Sequence, residues 1–291
     1  MKSIILAACM LTATAGIAAN SGPIAVEPAA TSFNIGKLHA VVLHDADYLV
    51  PNDGSIFGIG ATSAEVDQVL TTAGAATDVI TLSVNVLAVS TKDHLVLIDT
   101  GLGPKAHGVL MQGLTKVGMS GDAVTDVLIT HAHGDHVGGL VTADGVSAFP
   151  NAKVRMANAE WVFMQSQSEL TSIVKAISAQ VRTFEPGAVV MPGITAVAVK
   201  GHTPGHTAYE IRNGDERILA IGDSAHSYVV SLVRPDWTVA FDGDRALGKT
   251  SREALLNDLS KSQEKIFSPH FPYPGVGKVV SEGDHFRWQP N

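Results

Sequence analysis

The chain is nearly free of cysteine. Among its 291 residues the single cysteine is Cys9, close to the start. One thiol cannot form an intramolecular disulfide. If the protein is exported, its fold must therefore be stable in an oxidising compartment without a cross-link.

Clusters of positive charge are missing as well. The sequence has 20 Lys and Arg residues against 28 Asp and Glu residues, a formal net charge of −8, and the charges are interspersed. Nucleic-acid binding needs a basic stripe or run, so we expect no nucleic-acid partner. No internal repeat or low-complexity linker is evident, and a hydrophobic content of 45% suffices for one large domain with a full core.

The N-terminus carries an apolar stretch that indicates processing rather than folding. A short basic start, Met1–Ser3, precedes the small and apolar run 4–19, which offers cleavage after Ala18 or Ala19. This pattern predicts a secretory signal peptide over 1–19, too short to span a membrane, and hence a secreted or periplasmic protein without stable membrane insertion. A lipoprotein cleavage box ends at Cys9, but only eight residues precede it, which leaves too little apolar sequence for lipidation. We expect an N-terminal extension over 20–36 and a single domain over 37–291.

The most informative motif is the heptapeptide Thr-His-Ala-His-Gly-Asp-His at positions 130–136. It places four metal-capable side chains within six positions: His131, His133, Asp135 and His136. Imidazole and carboxylate groups are ligands that zinc-type divalent ions prefer. The apolar run 126–129 precedes the motif, so we expect a strand that ends in a ligand-bearing loop.

Three later segments also end on metal-capable side chains. The turn 201–206 carries His202 and His206, the apolar run 218–222 leads into Asp223, and 266–269 leads into His270. Four segments that end in this way indicate one convergent metal site.

Strand-like and helix-like segments alternate along the chain. Strands are predicted at 37–43, 48–50, 82–90, 94–98, 125–129, 195–199, 208–211, 217–221 and 265–267. Helices are predicted at 104–117, at 158–181 with a break near 166–168, and at 245–261. Periodicity by itself indicates only the α/β class.

Together the motifs resemble those of the metallo-β-lactamase fold superfamily, whose His-x-His-x-Asp-His signature is complete at 131–136. The resemblance covers residues 35 to 290 and implies an αββα sandwich, in which two packed mixed sheets carry helices on the outside. It further implies a first metal held by His131, His133 and His202, a second held by Asp135, His136 and His270, and Asp223 as the bridge. His206 and Asp99 are implied as residues that support the ligands from behind.

Within the superfamily the chain is most similar to the secreted methyl parathion hydrolase group, which lies near the acyl-homoserine lactonases. Segments 95–103, 148–152, 201–207 and 271–277 carry this likeness. The likeness implies a hydrolase with two divalent ions, zinc by default and manganese, iron or cobalt as alternatives. A metal-bridging hydroxide, generated near a pKa of roughly 7, would attack a small-molecule lactone, ester or phosphotriester. Asp135 is a candidate proton shuttle, and relatives suggest a homodimer.

One position departs from the lactonase pattern. Those enzymes carry a tyrosine three residues after the bridging acid, where this chain has His226. A histidine there could donate a hydrogen bond or a proton to the substrate, or it could simply pack in the core. For the substrate pocket, the likeness points to Trp161, Phe163 and Met164, and a glycine-rich loop adds Phe57, with core packing as the alternative for these side chains.

Two other enzyme classes remain as alternatives. Some β-lactamases use a cysteine at the second metal, where this chain has Asp223, so β-lactamase activity is disfavoured. A glyoxalase II-type thioesterase uses the same ligands but usually has a basic C-terminal cluster. The tail 275–291 contains only Lys278 and Arg287.

Overall fold

The computed structural model describes residues 21–291. The predicted signal peptide at 1–19 lies outside the described residues. The strands are β1 (Gly22–Ile24), β2 (Ala29–Ile35), β3 (Leu38–Pro51), β4 (Phe57–Ile59), β5 (Val79–Ser90), β6 (Leu95–Ile98), β7 (Asp126–Leu128), β8 (Lys153–Ala157), β9 (Val181–Phe184), β10 (Val189–Met191), β11 (Ile194–Ala198), β12 (Thr207–Asn213), β13 (Glu216–Ala220), β14 (Thr238–Val239), β15 (Lys265–Phe267), β16 (Val276–Glu282) and β17 (His285–Pro290). The α-helices are α1 (Ser63–Thr72), α2 (Leu110–Lys116), α3 (Gly134–Val137), α4 (Asn158–Ser166), α5 (Thr171–Ile177), α6 (Val230–Val233) and α7 (Arg245–Ser262).

Most strands belong to two mixed sheets. The first has the order β1-β3-β5-β6-β7-β8-β9, with β2 also paired to β3. Its β6 to β9 half is parallel and the remainder antiparallel. The second has the order β10-β11-β12-β13-β15-β16-β17 and is antiparallel except for the pair β13 and β15. Strands β4 and β14 form a separate ribbon.

The two sheets pack face to face with helices on both outer faces. Val42 and Leu87 of the first sheet share a buried cluster with Tyr209 and Ile218 of the second. On the opposite face of the first sheet, apolar strand residues pack under α2, α4 and α5. The outer face of the second sheet packs under α7. Because both faces of the central strands are buried, they are apolar along their length. This is the predicted αββα sandwich.

Strand β3 contains a bulge at Asp45. His44 lies opposite Asn85 and Ala46 lies opposite Val84, so Asp45 is an extra residue on this strand. Its buried carboxylate accepts hydrogen bonds from the backbone N–H groups of Leu102 (2.8 Å) and Leu110 (2.7 Å). The bulge therefore fixes segment 102–110 against the middle of β3.

The structure corrects several element predictions. The helix predicted from 104 begins only at Leu110, because segment 104–108 wraps around the Asp45 carboxylate through a left-handed His107 (φ 68°). The break at 166–168 is confirmed, but the helix ends at Ile177, and Val181, the last residue of the predicted helix, begins β9. Predicted strands 37–43 and 48–50 are one strand, β3. Residues 29–35 of the expected N-terminal extension form β2 of the first sheet. No helix among residues 21–291 is long and apolar enough to cross a bilayer.

Tyr209 connects the two sheets at the root of the metal loop. It is fully buried on β12, and its hydroxyl donates to the carbonyl of Ile129, just after β7, at 2.7 Å. Removing the hydrogen-bond donor from a buried carbonyl costs more free energy of folding than removing it from an exposed carbonyl.

We expect Tyr209→Phe to lower the free energy of unfolding by about 1–3 kcal/mol, because the Ile129 carbonyl then loses this donor in a dry environment. Urea denaturation measures the change. Tyr273→Phe is the matched control, since that hydroxyl bonds Thr31 at an exposed position and should cost less than about 0.5 kcal/mol. Equal losses in the two variants would contradict this assignment.

Candidate metal centre

The seven predicted ligands come from loops at one edge of the sandwich. His131, His133, Asp135 and His136 follow β7, His202 follows β11, Asp223 follows β13 and His270 follows β15. The structure brings all seven together as two adjacent groups, the first formed by His131, His133, His202 and Asp223, and the second by Asp135, His136 and His270.

The first group surrounds a point next to Asp223 Oδ2. His202 Nε2 lies 3.1 Å from His131 Nε2 and 2.9 Å from His133 Nδ1. Asp223 Oδ2 lies 3.6 Å from His131 Nε2 and 3.4 Å from His202 Nε2. Ligands held at about 2.0–2.1 Å from a tetrahedral zinc are themselves about 3.3 Å apart, so these spacings suit such an ion.

The second group uses the other Asp223 oxygen. Asp223 Oδ1 lies 3.2 Å from His136 Nε2 and 3.1 Å from His270 Nε2. Asp135 Oδ2 is 3.7 Å from His136 Nε2 and 3.5 Å from His270 Nε2. Asp223 therefore lies between the two groups, with Oδ1 facing the second group and Oδ2 next to the first but also 3.2 Å from His270 Nε2.

The hydrogen bonds behind the imidazoles orient them for a metal. His136 Nδ1 faces Asp99 at 2.9 Å, His202 Nδ1 faces Asp242 at 2.9 Å and His270 Nδ1 faces the Ser83 carbonyl at 2.8 Å. Each acceptor places the ring proton on Nδ1 and leaves an Nε2 lone pair pointing inward. Buried lone pairs this close repel one another, and Asp223 Oδ1 has no hydrogen-bond partner. The donor set fits divalent cations.

Burial and neighbouring charges set different charge states in the two groups. Burial lowers the pKa of His202 to about 3 and holds the pKa of His131 well below its ordinary value, so these two rings of the first group stay neutral. Burial would raise the pKa of Asp223, but the facing His136 and His270 outweigh it and hold that pKa well below its usual range. Burial likewise opposes a charge on His136 and His270, but the facing Asp223 outweighs it and raises the pKa of both rings, so these two must lose a proton when a cation binds.

Asp99 and His206 lie behind the ligands, as the sequence predicted. Asp99 accepts from the Thr130 N–H (2.7 Å) and the Thr130 hydroxyl (2.8 Å) as well as facing His136. His206 directs Nδ1 to the Val199 carbonyl, and its Nε2 accepts from the N–H of Asp223 at 2.9 Å. It therefore fixes the backbone of the bridging acid and is not among the two ligand groups.

Sequence reasoning missed two buried acids. Glu160 accepts from the N–H of Ala132 in one ligand loop and from the Thr203 hydroxyl and Gly205 N–H in another. It ties the two loops together. Asp242 joins His202 to Arg252, which is itself buried. The turn between β14 and α7 has no motif by which Asp242 could have been found.

A cavity of about 630 Å³ opens onto the ligands. His226 lines this cavity and is only 1% exposed. Neither of its ring nitrogens is hydrogen-bonded, although Nε2 lies 3.2 Å from Asp223 Oδ2.

The predicted pocket residues do not line the cavity: Met164 is in the core under the first sheet, with Trp161 and Phe163 packed against that core. Phe57 packs behind His226, with ring centroids 6.3 Å apart. The structure therefore favours the core-packing alternative for these four side chains, because Trp161, Phe163 and Met164 lie on α4, which faces the first sheet, and Phe57 is buried on β4.

We expect Asp99→Asn and Asp242→Asn to weaken the binding of different metal ions. Asp99→Asn puts an amide N–H₂ within reach of His136 Nδ1 and favours the wrong tautomer, so the ion at Asp135, His136 and His270 should bind about 10–100-fold more weakly. Asp242→Asn should weaken the ion at His131, His133 and His202 by a similar factor, for the same reason at His202. Chelator competition with metal analysis and a melting curve measures both. Equal loss of both ions in each variant would refute the assignment.

Comparison with known proteins identifies the family of this chain and similar structures. The model of the Metallo-beta-lactamase superfamily matches residues 79–270. The structure of AidC, a dizinc quorum-quenching lactonase, superposes with a TM-score of 0.86 at 28% identity, covering 91% of this chain and 98% of AidC. The hydrolase AbOPH of the beta lactamase superfamily gives 0.83 at 27% identity, covering 90% of this chain and 97% of AbOPH.

Curated relatives are more distant or match over less of their length. The uncharacterized protein YobT of Bacillus subtilis (strain 168) is 30% identical over 152 residues, 48% of this chain and 61% of YobT. The N-acyl homoserine lactonase of Bacillus cereus is 23% identical over 203 residues, 62% of this chain and 78% of that enzyme. Since the family match covers more than half of the sequence, the chain belongs to the metallo-β-lactamase superfamily, as the motifs predicted.

Proposed function

We propose that the protein is a dinuclear metal-dependent hydrolase that opens lactones or cleaves related esters of uncharged small molecules, with phosphotriester hydrolysis as a related activity. One observation carries the proposal. The cavity over the seven ligands is walled by apolar side chains, and none of its described lining residues is Lys or Arg.

The wall composition favours a neutral substrate with an apolar part. Leu82, Leu102, Ala106, Ala240 and Phe241 line the cavity beside the ligands. Apolar pockets with a few placed polar groups bind ligands by burial and orient them by those groups. The anionic carboxylates of a β-lactam or a glutathione thioester would find no cationic side chain there, which disfavours both alternatives.

The mechanism combines metal chemistry with groups of the chain. Two bound divalent ions, which we propose to be zinc, supply polarisation of the substrate oxygen and activation of water at neutral pH. Asp223 holds the two ligand groups in fixed register. Asp135 and Asp223 both line the cavity, and Asp135 is the more exposed of the two, with 25% of its side chain exposed against 4% for Asp223. Asp135 can therefore pass a proton to the departing oxygen.

His226 is the second proposed catalytic residue. Its ring lies against His202 and His270, with centroid distances of 4.9 Å and 5.9 Å, and it lines the same cavity. Both ring nitrogens are buried without a hydrogen-bond partner, a state that costs free energy unless a ligand supplies one. We assign to His226 a hydrogen bond or proton donated to the departing oxygen of the substrate, from the position where the lactonases have a tyrosine.

The relatives support the lactone assignment. AidC is described as a lactonase and aligns over nearly its full length, and the Bacillus cereus relative is an N-acyl homoserine lactonase. The signal-like start of the sequence supports action outside the cytoplasm.

A rate comparison tests the proposal. The zinc-loaded protein is assayed with an N-acyl homoserine lactone, methyl parathion and a β-lactam. We expect the highest kcat/KM for the lactone, lower turnover of methyl parathion and none of the β-lactam, because only the last is anionic. Methyl parathion turnover with an inert lactone would replace the lactonase assignment by phosphotriesterase, and efficient β-lactam hydrolysis would refute the neutral-substrate argument.

We also expect His226→Ala to slow an alkyl lactone, which has a poor leaving group, by about 100-fold. A 4-nitrophenyl ester should lose about threefold or less, because its leaving group needs little assistance. Steady-state kcat values measure the contrast. His226→Gln, which keeps an N–H donor, should recover part of the lactone rate. Equal losses on both substrates would show that His226 is a packing residue.

A further inference from the structure

The cavity wall contains one polar side chain outside the metal ligands and His226, namely Tyr48. All other described residues of the lining outside that set are Leu, Ala, Gly or Phe. A single polar group on an apolar wall strongly influences how a mostly apolar ligand is oriented, since any matching polar group of the ligand must meet it or stay unpaired.

The Tyr48 hydroxyl is free to bind a ligand. It forms no hydrogen bond with any residue of 21–291, in contrast to the hydroxyls of Tyr209 and Tyr273, which bond Ile129 and Thr31. The Tyr48 ring packs against the cluster that contains Val50 and Leu82. Packing of the ring limits its motion, so the hydroxyl is held in place without being used by the fold.

The bulge at Asp45 puts Tyr48 on this wall. An extra residue shifts the following residues by one position and turns their side chains to the other face of the sheet. After the bulge Tyr48 lies opposite Leu82 and Asp47 opposite Ser83. Leu82 also lines the cavity, and the Ser83 carbonyl is the group that orients His270. The pairing of β3 with β5 therefore places Tyr48 beside the segment of β5 that orients His270, a ligand of the second group.

The same bulge positions a second part of the cavity. The Asp45 carboxylate holds the N–H of Leu102, and Leu102 and Ala106 line the cavity with Tyr48. One local irregularity of β3 thus fixes both the polar group and part of the apolar wall around it.

We propose that Tyr48 is a specificity-determining residue, whose hydroxyl hydrogen-bonds a neutral polar group, such as an amide, on the apolar arm of the substrate. The inference rests on the proposed function and deepens it. The hydrolase then prefers lactones whose apolar arm carries an amide over lactones with a plain alkyl arm. Tyr48 acts in binding and not on the scissile bond.

Binding of uncleaved probes tests this independently of turnover. The zinc-loaded wild type and Tyr48→Phe are titrated calorimetrically with two neutral γ-lactams, 3-hexanamido-2-pyrrolidinone and 3-heptyl-2-pyrrolidinone, which differ in the amide. We expect Tyr48→Phe to weaken the amide probe by about fivefold and the alkyl probe by less than about twofold. Kinetics with an N-acyl homoserine lactone should show the same factor in KM with an unchanged kcat.

Tyr228→Phe is the matched control. Tyr228 also has a hydroxyl without a hydrogen bond to residues 21–291, but it lines a separate groove of about 760 Å³ between α1 and the β16–β17 hairpin, which contains none of the ligands. Both probes should bind this variant as they bind the wild type. The inference is overturned if Tyr48→Phe weakens the binding of both probes equally or of neither probe. It is also overturned if neither probe binds to the wild type. If Tyr48→Phe weakens the binding of the amide probe alone while the wild type hydrolyses no lactone, the role of Tyr48 in binding stands and the proposed function is refuted.

Discussion

The arrangement of the site depends on the Asp223 carboxylate, which lies between imidazoles from three other parts of the chain. Its two oxygens approach His131, His136, His202 and His270 within 3.1–3.6 Å. The nitrogen atoms of these rings repel one another in a buried space, and bound cations would relieve that repulsion. The outer hydrogen bonds resist this repulsion: Asp99, Asp242 and Ser83 fix the rings, His206 fixes the backbone of Asp223, and Glu160 joins two of the loops.

The sandwich explains why these groups can be held so closely. Strands β7, β13 and β15 are buried where they lead into their ligand loops, so these loops begin from rigid positions. The Tyr209 hydroxyl joins the second sheet to the start of the heptapeptide in the first. The distances within the site are therefore set by packing of the whole domain, which is why a centre of seven side chains can be assembled from four separate segments.

The heptapeptide and the strand-terminal ligands were predictable because each is local: an apolar run followed by His or Asp. Residues such as Glu160 and Asp242 were not, since each acts on a partner 28 to 45 positions away and has no pattern of its own. The bulge at Asp45 likewise depends on pairing with β5. Helix α1, by contrast, was missed although Thr62 and Glu65 form a capping box and Val66 and Leu70 give a buried i,i+4 pair, a signal that was present in the sequence. Trp161, Phe163 and Met164 had the right chemistry for a pocket, but periodicity does not tell which layer a helix faces.

The most direct test of the dinuclear centre is a zinc titration of the metal-free protein, with bound metal and lactone hydrolysis followed in the same samples. We expect two ions per chain and turnover that approaches its maximum only when the second ion is bound, because Asp223 serves both groups. Saturation at one ion with full activity, or hydrolysis by the metal-free protein, would contradict a dinuclear centre bridged by this carboxylate.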